Sequence, residues 1–125
     1  MHEVSLMAEL LRLAQAALAG RQVATVTAVQ LQLGELAGAD AGALLFAFDV
    51  MRRGTPLAAA TLRIEPVAAV VHCDECGAVG APAAPPMLCC PACGGYRVRL
   101  VAGQELQLSQ LECVFVDEPG AQEQP

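Results

Sequence analysis

Cys73-Asp74-Glu75-Cys76-Gly77 and Cys90-Pro91-Ala92-Cys93-Gly94 are two Cys-x-x-Cys-Gly units, with thirteen residues between Cys76 and Cys90. Two intervening residues let a tight turn aim two thiolates at one ion while backbone N–H groups face the sulfurs, and glycine after the second cysteine suits positive φ. Two such turns complete a tetrahedron, so Cys73, Cys76, Cys90 and Cys93 are expected to hold one structural zinc. Residues 72 to 95 carry five of the six cysteines together with Pro82, Pro85, Pro86 and Pro91, and too little apolar bulk to bury themselves. Zinc binding contributes on the order of 10 kcal/mol of folding free energy in small modules, so here the ion takes the place of a core.

The competing chemistries fit the spacing less well. A redox motif needs a single Cys-x-x-Cys opening a helix after a strand, and neither unit has that setting. A catalytic zinc keeps a position open for water, which four thiolates do not leave. His72 and Cys89 lie just outside the two frames; His72 reads as a residue beside the ligands or on the surface, and Cys89 as a spare thiol. Cys113 falls in an apolar strand and reads as a small buried hydrophobe.

Working outward, Ala60 to Val71 has strand character, with Leu62 and Ile64 opposite Arg63 and Glu65; Pro66 places it at an edge or a bulge. After the cysteine segment, strand patterning resumes over Tyr96 to Leu100 and Glu105 to Val116 across a Gly103 turn. The apolar phase slips between Leu108 and Leu111, which a bulge near Ser109 to Gln110 would absorb. The cysteine segment is thus expected to protrude between two strands of one sheet. Toward the start, Ser5 is expected to cap a helix over Leu6 to Ala19, its stripe formed by Leu6, Leu10, Leu13 and Ala17 and its stop by Gly20. Val23 to Leu33 reads as a half-buried strand before a Gly34 turn. Asp40 can cap a second helix running to about Arg53, apolar through Leu44, Leu45, Phe48 and Met51 and therefore expected deep in the core.

The reading is an α+β fold: a small mixed sheet covered by two helices, with a four-cysteine zinc-ribbon knob on a β-ribbon. Residues 1–71 plus 96–118 would form the body, 72–95 the knob and 119–125 a polar tail. A chain of 125 residues supports one modest core with a metal-stapled satellite, not two full cores.

Charge and composition exclude further classes. The formal charge of −6 at pH 7 would repel a phosphate backbone, and no basic cluster exceeds Arg52-Arg53, so nucleic acid is not an expected partner. All seven basic residues are Arg, which excludes a Walker A loop and leaves any nucleotide energy to another protein. No stretch approaches the ~18 apolar residues of a membrane span. Met1-His2-Glu3 lacks the positive start of a secretory signal, so the start is expected to be mature sequence and the compartment the cytoplasm. Thiols in that reducing compartment serve metal or redox chemistry more often than disulfides.

A lone histidine near a chain end is ordinarily a solvated side chain. At position 2, however, the Met1 amine, the His2 amide nitrogen and the imidazole can close two chelate rings, and the Glu3 amide offers a fourth nitrogen in the same plane. Such planar nitrogen coordination suits Ni(II) or Cu(II). Glu3 and Asp40 are candidate carboxylate supports; their plain readings are helix-end charge and N-cap.

Met1-His2-Glu3 with Ser5-Leu6, Leu33-Gly34-Glu35, the Phe46 to Asp49 segment, the paired cysteine units and Gly103-x-Glu105-Leu106 together resemble the HypA/HybF family over nearly the whole chain. The resemblance implies a hydrogenase maturation protein that makes or breaks no bond itself. Such a protein binds nickel through the histidine after the initiator Met, carries a structural four-cysteine zinc, and works with the GTPase HypB to pass nickel toward the [NiFe]-hydrogenase large subunit. Position by position, His2 resembles the nickel ligand, and Cys73, Cys76, Cys90 and Cys93 the zinc ligands. The Cys89-Cys90 doublet and the Pro82 to Pro86 spacer are less typical of the family. A monomer or weak homodimer is expected. The alternative is a zinc-ribbon adaptor for protein or nucleic acid, against whose nucleic-acid version the charge counts.

Overall fold

The computed structural model describes residues 2–83 and 87–116. The Met1 amine, Pro85, Pro86 and the tail 119–125 lie outside these residues. The elements are α1 (His2–Leu18), β1 (Val23–Gly34), α2 (Ala41–Met51), β2 (Thr61–Val67), β3 (Val70–Cys73), β4 (Val79–Gly80), β5 (Val98–Ala102) and β6 (Leu106–Phe115). They form two three-stranded sheets, β2-β1-β6 and β4-β3-β5, with two helices, the expected α+β class. The chain divides into two compact units: Met1–Leu31 with Asp40–Arg63 and Leu108–Pro125, and Gln32–Ala39 with Ile64–Gln107. The expected metal segment is part of the second.

In the first unit, α1 begins at His2, four residues before the expected start, so Ser5 lies inside its first turn and cannot cap it. The buried stripe is Met7, Leu10, Leu11 and Ala14 rather than Leu6, Leu10, Leu13 and Ala17. The i, i+3, i+4, i+7 set through Met7 and Leu11 gives the broader apolar face, and it turns Leu13 and Ala17 outward. Asp40 caps α2 as expected: its backbone is extended, at φ −93° and ψ 126°, and its carboxylate accepts from the Ala43 N–H at 2.8 Å. The expectation that α2 sits deep in the core is corrected. Leu44, Ala47 and Phe48 are buried, but Leu45, Phe46 and Val50 are 45, 71 and 48% exposed. Side chains turn about 100° per residue, so a helix apolar all round buries only the face its neighbours cover.

Strand β1 supplies the centre of the core through Val26, Ala28, Val29, Leu31 and Leu33. Val116 N–H donates to Gln22 C=O at 2.7 Å, and the Ser109 hydroxyl to Gln30 C=O at 3.1 Å, so β6 runs antiparallel to β1. Gln32 bonds to Glu65 and Glu35 N–H to Val67 C=O; these pairs advance together, so β2 runs parallel to β1 through the α2 crossover, and the sheet is mixed. Pro66 lies on β2, an outer strand, where its missing N–H costs no ladder bond.

The run from Ala60 to Val71 is not one strand. It breaks at Ala68-Ala69 into β2 and β3, which belong to different sheets. Likewise Gly103, at φ +111°, does not join a hairpin, because β5 pairs with β3 while β6 pairs with β1. A turn residue marks a change of direction but does not say which strand receives the chain. In the second unit, β3 pairs antiparallel with β5, with His72 opposite Arg99 and Cys73 opposite Val98, and with the short β4 on its other side. Residues 74–97 are therefore an excursion between two paired strands, as the sequence led one to expect. Among the described residues, no helix is long and apolar enough to cross a membrane.

Candidate metal centres

The base of the excursion is built twice over. At Cys73, the N–H groups of Glu75 and Cys76 point to the sulfur at 3.4 Å; at Cys90, those of Ala92 and Cys93 do the same at 3.3 Å. Each turn closes with an N–H from the following glycine, Gly77 to Cys73 C=O and Gly94 to Cys90 C=O, both at 3.0 Å. These glycines sit at φ +77° and +75°, a conformation that would strain any other residue. Gly95 has a different reason. A side chain there would press within 2.7 Å of the Glu75 carboxylate and 3.4 Å of Cys93 Sγ.

The four sulfurs lie within 4.8 Å of one another, with Cys73–Cys93 at 3.8 Å and Cys76–Cys90 at 3.4 Å. A Zn–S bond of ~2.3 Å implies tetrahedral edges of roughly 3.8 Å, so this donor set fits that ion's size and geometry. The electrostatics point the same way. The Cys93 N–H, aided by that of Ala92, lowers the Cys90 thiol to about 6. Although the Gly95 N–H pulls Cys93 down, the crowding thiols of Cys90 and Cys73 prevail and push it up to about 12. Four thiols this close cannot all ionise unless a cation joins them.

Cys89 is buried beside the cluster, where its C=O accepts from Ala83 N–H at 3.0 Å, but its sulfur is not among the four. His72 faces Arg99, whose guanidinium nitrogen lies 3.1 Å from Nδ1. Arg99 donates to Asp74 at 3.0 Å, and that bond is the main reason the Asp74 carboxyl is held below its usual range. This brace between β5 and the first metal turn was missed from sequence; its signal was Arg99 two positions beyond Arg97, on the strand that pairs with Cys73. Cys113 is half-buried on β6, less buried than expected, and its sulfur is not among the four.

At the other candidate centre, His2 opens α1 with its ring exposed. The first N–H groups of a helix have no intrahelical partner. Glu3 and Asp40 are brought together: the Glu3 carboxylate accepts from Asp40 N–H at 3.0 Å, while the Asp40 carboxylate caps α2. The Asp40 N–H, followed by the N–H of Glu3 itself, lowers the Glu3 carboxyl from its usual value.

Residues 1–113 match the family model described as "Hydrogenase/urease nickel incorporation, metallochaperone, hypA". The chain belongs to the HypA family. It is similar to the hydrogenase maturation factor HypA of Roseiflexus sp. (strain RS-1), at 45% identity over 90% of this chain and 91% of that one. It is also similar to that of Chloroflexus aurantiacus, at 41% identity over 90% of this chain and 98% of that one. Two solution structures share the fold. One, of a HypA protein, has a TM-score of 0.69 at 26% identity over 91% of this chain and 97% of its own. The other, the Ni metallochaperone HypA from Helicobacter pylori, has a TM-score of 0.67 at 24% identity over 91% and 98%.

Proposed function

We propose that this chain takes up Ni(II) at its leading residues and surrenders it during maturation of a [NiFe]-hydrogenase, while zinc held by Cys73, Cys76, Cys90 and Cys93 shapes the excursion between β3 and β5. The observation that carries the reading is the match to a nickel-incorporation family that begins at residue 1 and so includes an exposed His2 at the open end of α1. The cargo would be bound by the His2 imidazole and amide with the Met1 amine. Planar nitrogen donors suit Ni(II), whereas the sulfur tetrahedron suits Zn(II), so the two metals sort themselves by donor type. Glu3 supports the site indirectly, because its tie to the Asp40 backbone anchors the first turn that carries His2. Delivery is ligand exchange in the cytoplasm to a hydrogenase large subunit, with a HypB-type GTPase supplying any nucleotide energy. The chain itself catalyses no reaction, consistent with a sulfur site that leaves no position for water.

The test is metal analysis and nickel titration of the untagged chain. His2→Ala should abolish stoichiometric nickel binding and leave zinc and helix content unchanged. An added amino-terminal tag should weaken nickel binding by consuming the amine. Normal nickel binding by His2→Ala would show that the cargo sits elsewhere.

A further inference from the structure

The β4-β3-β5 sheet of the cysteine unit ends on one side at β4, two residues long, and on the other at β5, whose far side meets no strand among the described residues. A two-residue strand offers another chain little to pair with, so β5 is the usable edge. The direction of its backbone groups follows from the bond at its start. Asp74 N–H donates to Arg97 C=O at 2.8 Å, so Arg97 turns toward β3, and by alternation Arg99, opposite His72, does too. The N–H and C=O groups of Val98 and Leu100 therefore turn to the open edge. Beyond Leu100 the register slips: Leu100 lies opposite Val71 and Ala102 opposite Val70, which leaves Val101 as the extra residue of a bulge and ends the regular ladder there.

The side chains alternate as well. Val98 and Leu100 are half-buried on the face they share with the buried Cys73 and Val71. On that side an open groove of about 240 Å³ is lined by Leu100, Ala102, Gln104 and Glu105. Arg97 and Arg99 are exposed and share the opposite face. They are the only basic residues after Arg63 in a chain of net charge −6, so what positive charge the cysteine unit has is gathered at this edge. Arg99 is bonded to Asp74 at 3.0 Å, whereas the Arg97 side chain has no ion pair among the described residues.

We propose that β5 receives, as an added antiparallel strand, an extended segment of a different protein whose side chains alternate between aliphatic and acidic. An antiparallel strand exchanges both hydrogen bonds at Val98 and again at Leu100. Residues directly opposite one another lie on the same face of a sheet, so the positions facing Val98 and Leu100 take aliphatic side chains and those facing Arg97 and Arg99 take carboxylates. Glu105 enforces the sidedness, because an acid turned to the groove would meet its carboxylate. A second copy of β5 is the wrong occupant. Bonding through both Val98 and Leu100 would set Arg99 against its own copy, and like charges directly opposite destabilise a pair. The charges that reject a copy thus select the opposite sign. So short a pairing falls well under a standard interface, which makes the contact weak and rapidly exchanging.

The experiment uses the zinc-loaded full chain and a blocked peptide of alternating valine and glutamate, followed by amide chemical shifts and hydrogen exchange. Adding the peptide should slow exchange at the amides of Val98 and Leu100 and leave that of Arg99, already turned to β3, unchanged. Arg97→Glu, with zinc content and helix signals intact, should weaken binding at least fivefold and bind a valine–lysine peptide in preference. Methylating the valine nitrogens of the peptide, which meet β5, should abolish binding, whereas methylating the glutamate nitrogens should not. No binding at millimolar peptide, equal binding of the glutamate and lysine peptides by the wild type, an Arg97→Glu chain that binds as before, or indifference to which nitrogens are methylated would each overturn the proposal. So would slowed exchange at Val98 and Leu100 on concentrating the chain alone, the mark of a second copy on this edge.

Discussion

At position 34 a side chain has nowhere to go. A Cβ on Gly34 would run into the Gly103 carbonyl and lie 2.6 Å from Gln104 N, because Gly34 N–H reaches Glu105 C=O and Leu36 N–H reaches Gly103 C=O in the same crossing. Those neighbours are backbone and cannot swing aside, so Gly34→Ala should cost on the order of 3 kcal/mol, read as a lower urea midpoint. A second expectation concerns Asp40, whose side chain caps α2: Asp40→Ala should cost about 1 kcal/mol by thermal or urea unfolding. A third concerns Glu3. Its folded pKa lies below the ordinary value of 4.5, so its stabilisation is fully present above that value and is lost as pH falls through the lowered one. The deficit of Glu3→Gln against wild type, measured nickel-free by thermal unfolding, should be flat from pH 8 to about 5 and shrink in more acid solution. Residue chemistry was unevenly legible from sequence. The four cysteines announce themselves, because two-residue spacing followed by glycine has one dominant use. His2 is less legible, since an imidazole near a chain end is ordinarily solvated; its place beside the chain-end amine made it a candidate, and the family resemblance raised it further.

The elements were legible wherever the pattern has one period and one buried face. β1 alternates and was read nearly to its ends, and Pro66 correctly marked an outer strand. α2 was misjudged for the opposite reason: with apolar residues nearly all round, the sequence holds no information on which face is covered. The structure answers with Phe48 buried and Phe46 71% exposed, two positions apart. Phe48→Ala should therefore cost about 3–5 kcal/mol in urea unfolding, whereas Phe46→Ala should stay within about 0.5 kcal/mol. Equal losses at the two sites would mean that α2 is covered on both faces. The same limit applies to β5 and β6. Their strand character was evident, but hydrophobic alternation cannot say that they join different sheets, which depends on Gly103 crossing against Gly34 and Ala69.

For the whole molecule, the decisive quantity is how much order each part keeps without metal. The first unit holds its own core, with Met7, Leu10, Leu11, Ala14, Val26, Ala28, Leu44, Ala47, Phe48 and Leu57 all buried. In the excursion from 74 to 97, the buried side chains among the described residues are only Pro82, Cys89 and Cys90, too few to offset the entropy of ordering that length of chain. A bound zinc supplying on the order of 10 kcal/mol reverses that balance locally. Stripping the metal with a strong chelator, or replacing Cys90 with alanine, should therefore remove hydrogen-exchange protection from the amides of Cys76, Gly77, Cys93 and Gly94 while those of α1 and α2 keep theirs. Restoring zinc should return protection to the chelated wild type and not to Cys90→Ala. If the amides of the cysteine turns stay protected after chelation, the excursion is ordered by its own contacts, and the metal's structural role would have to be given up.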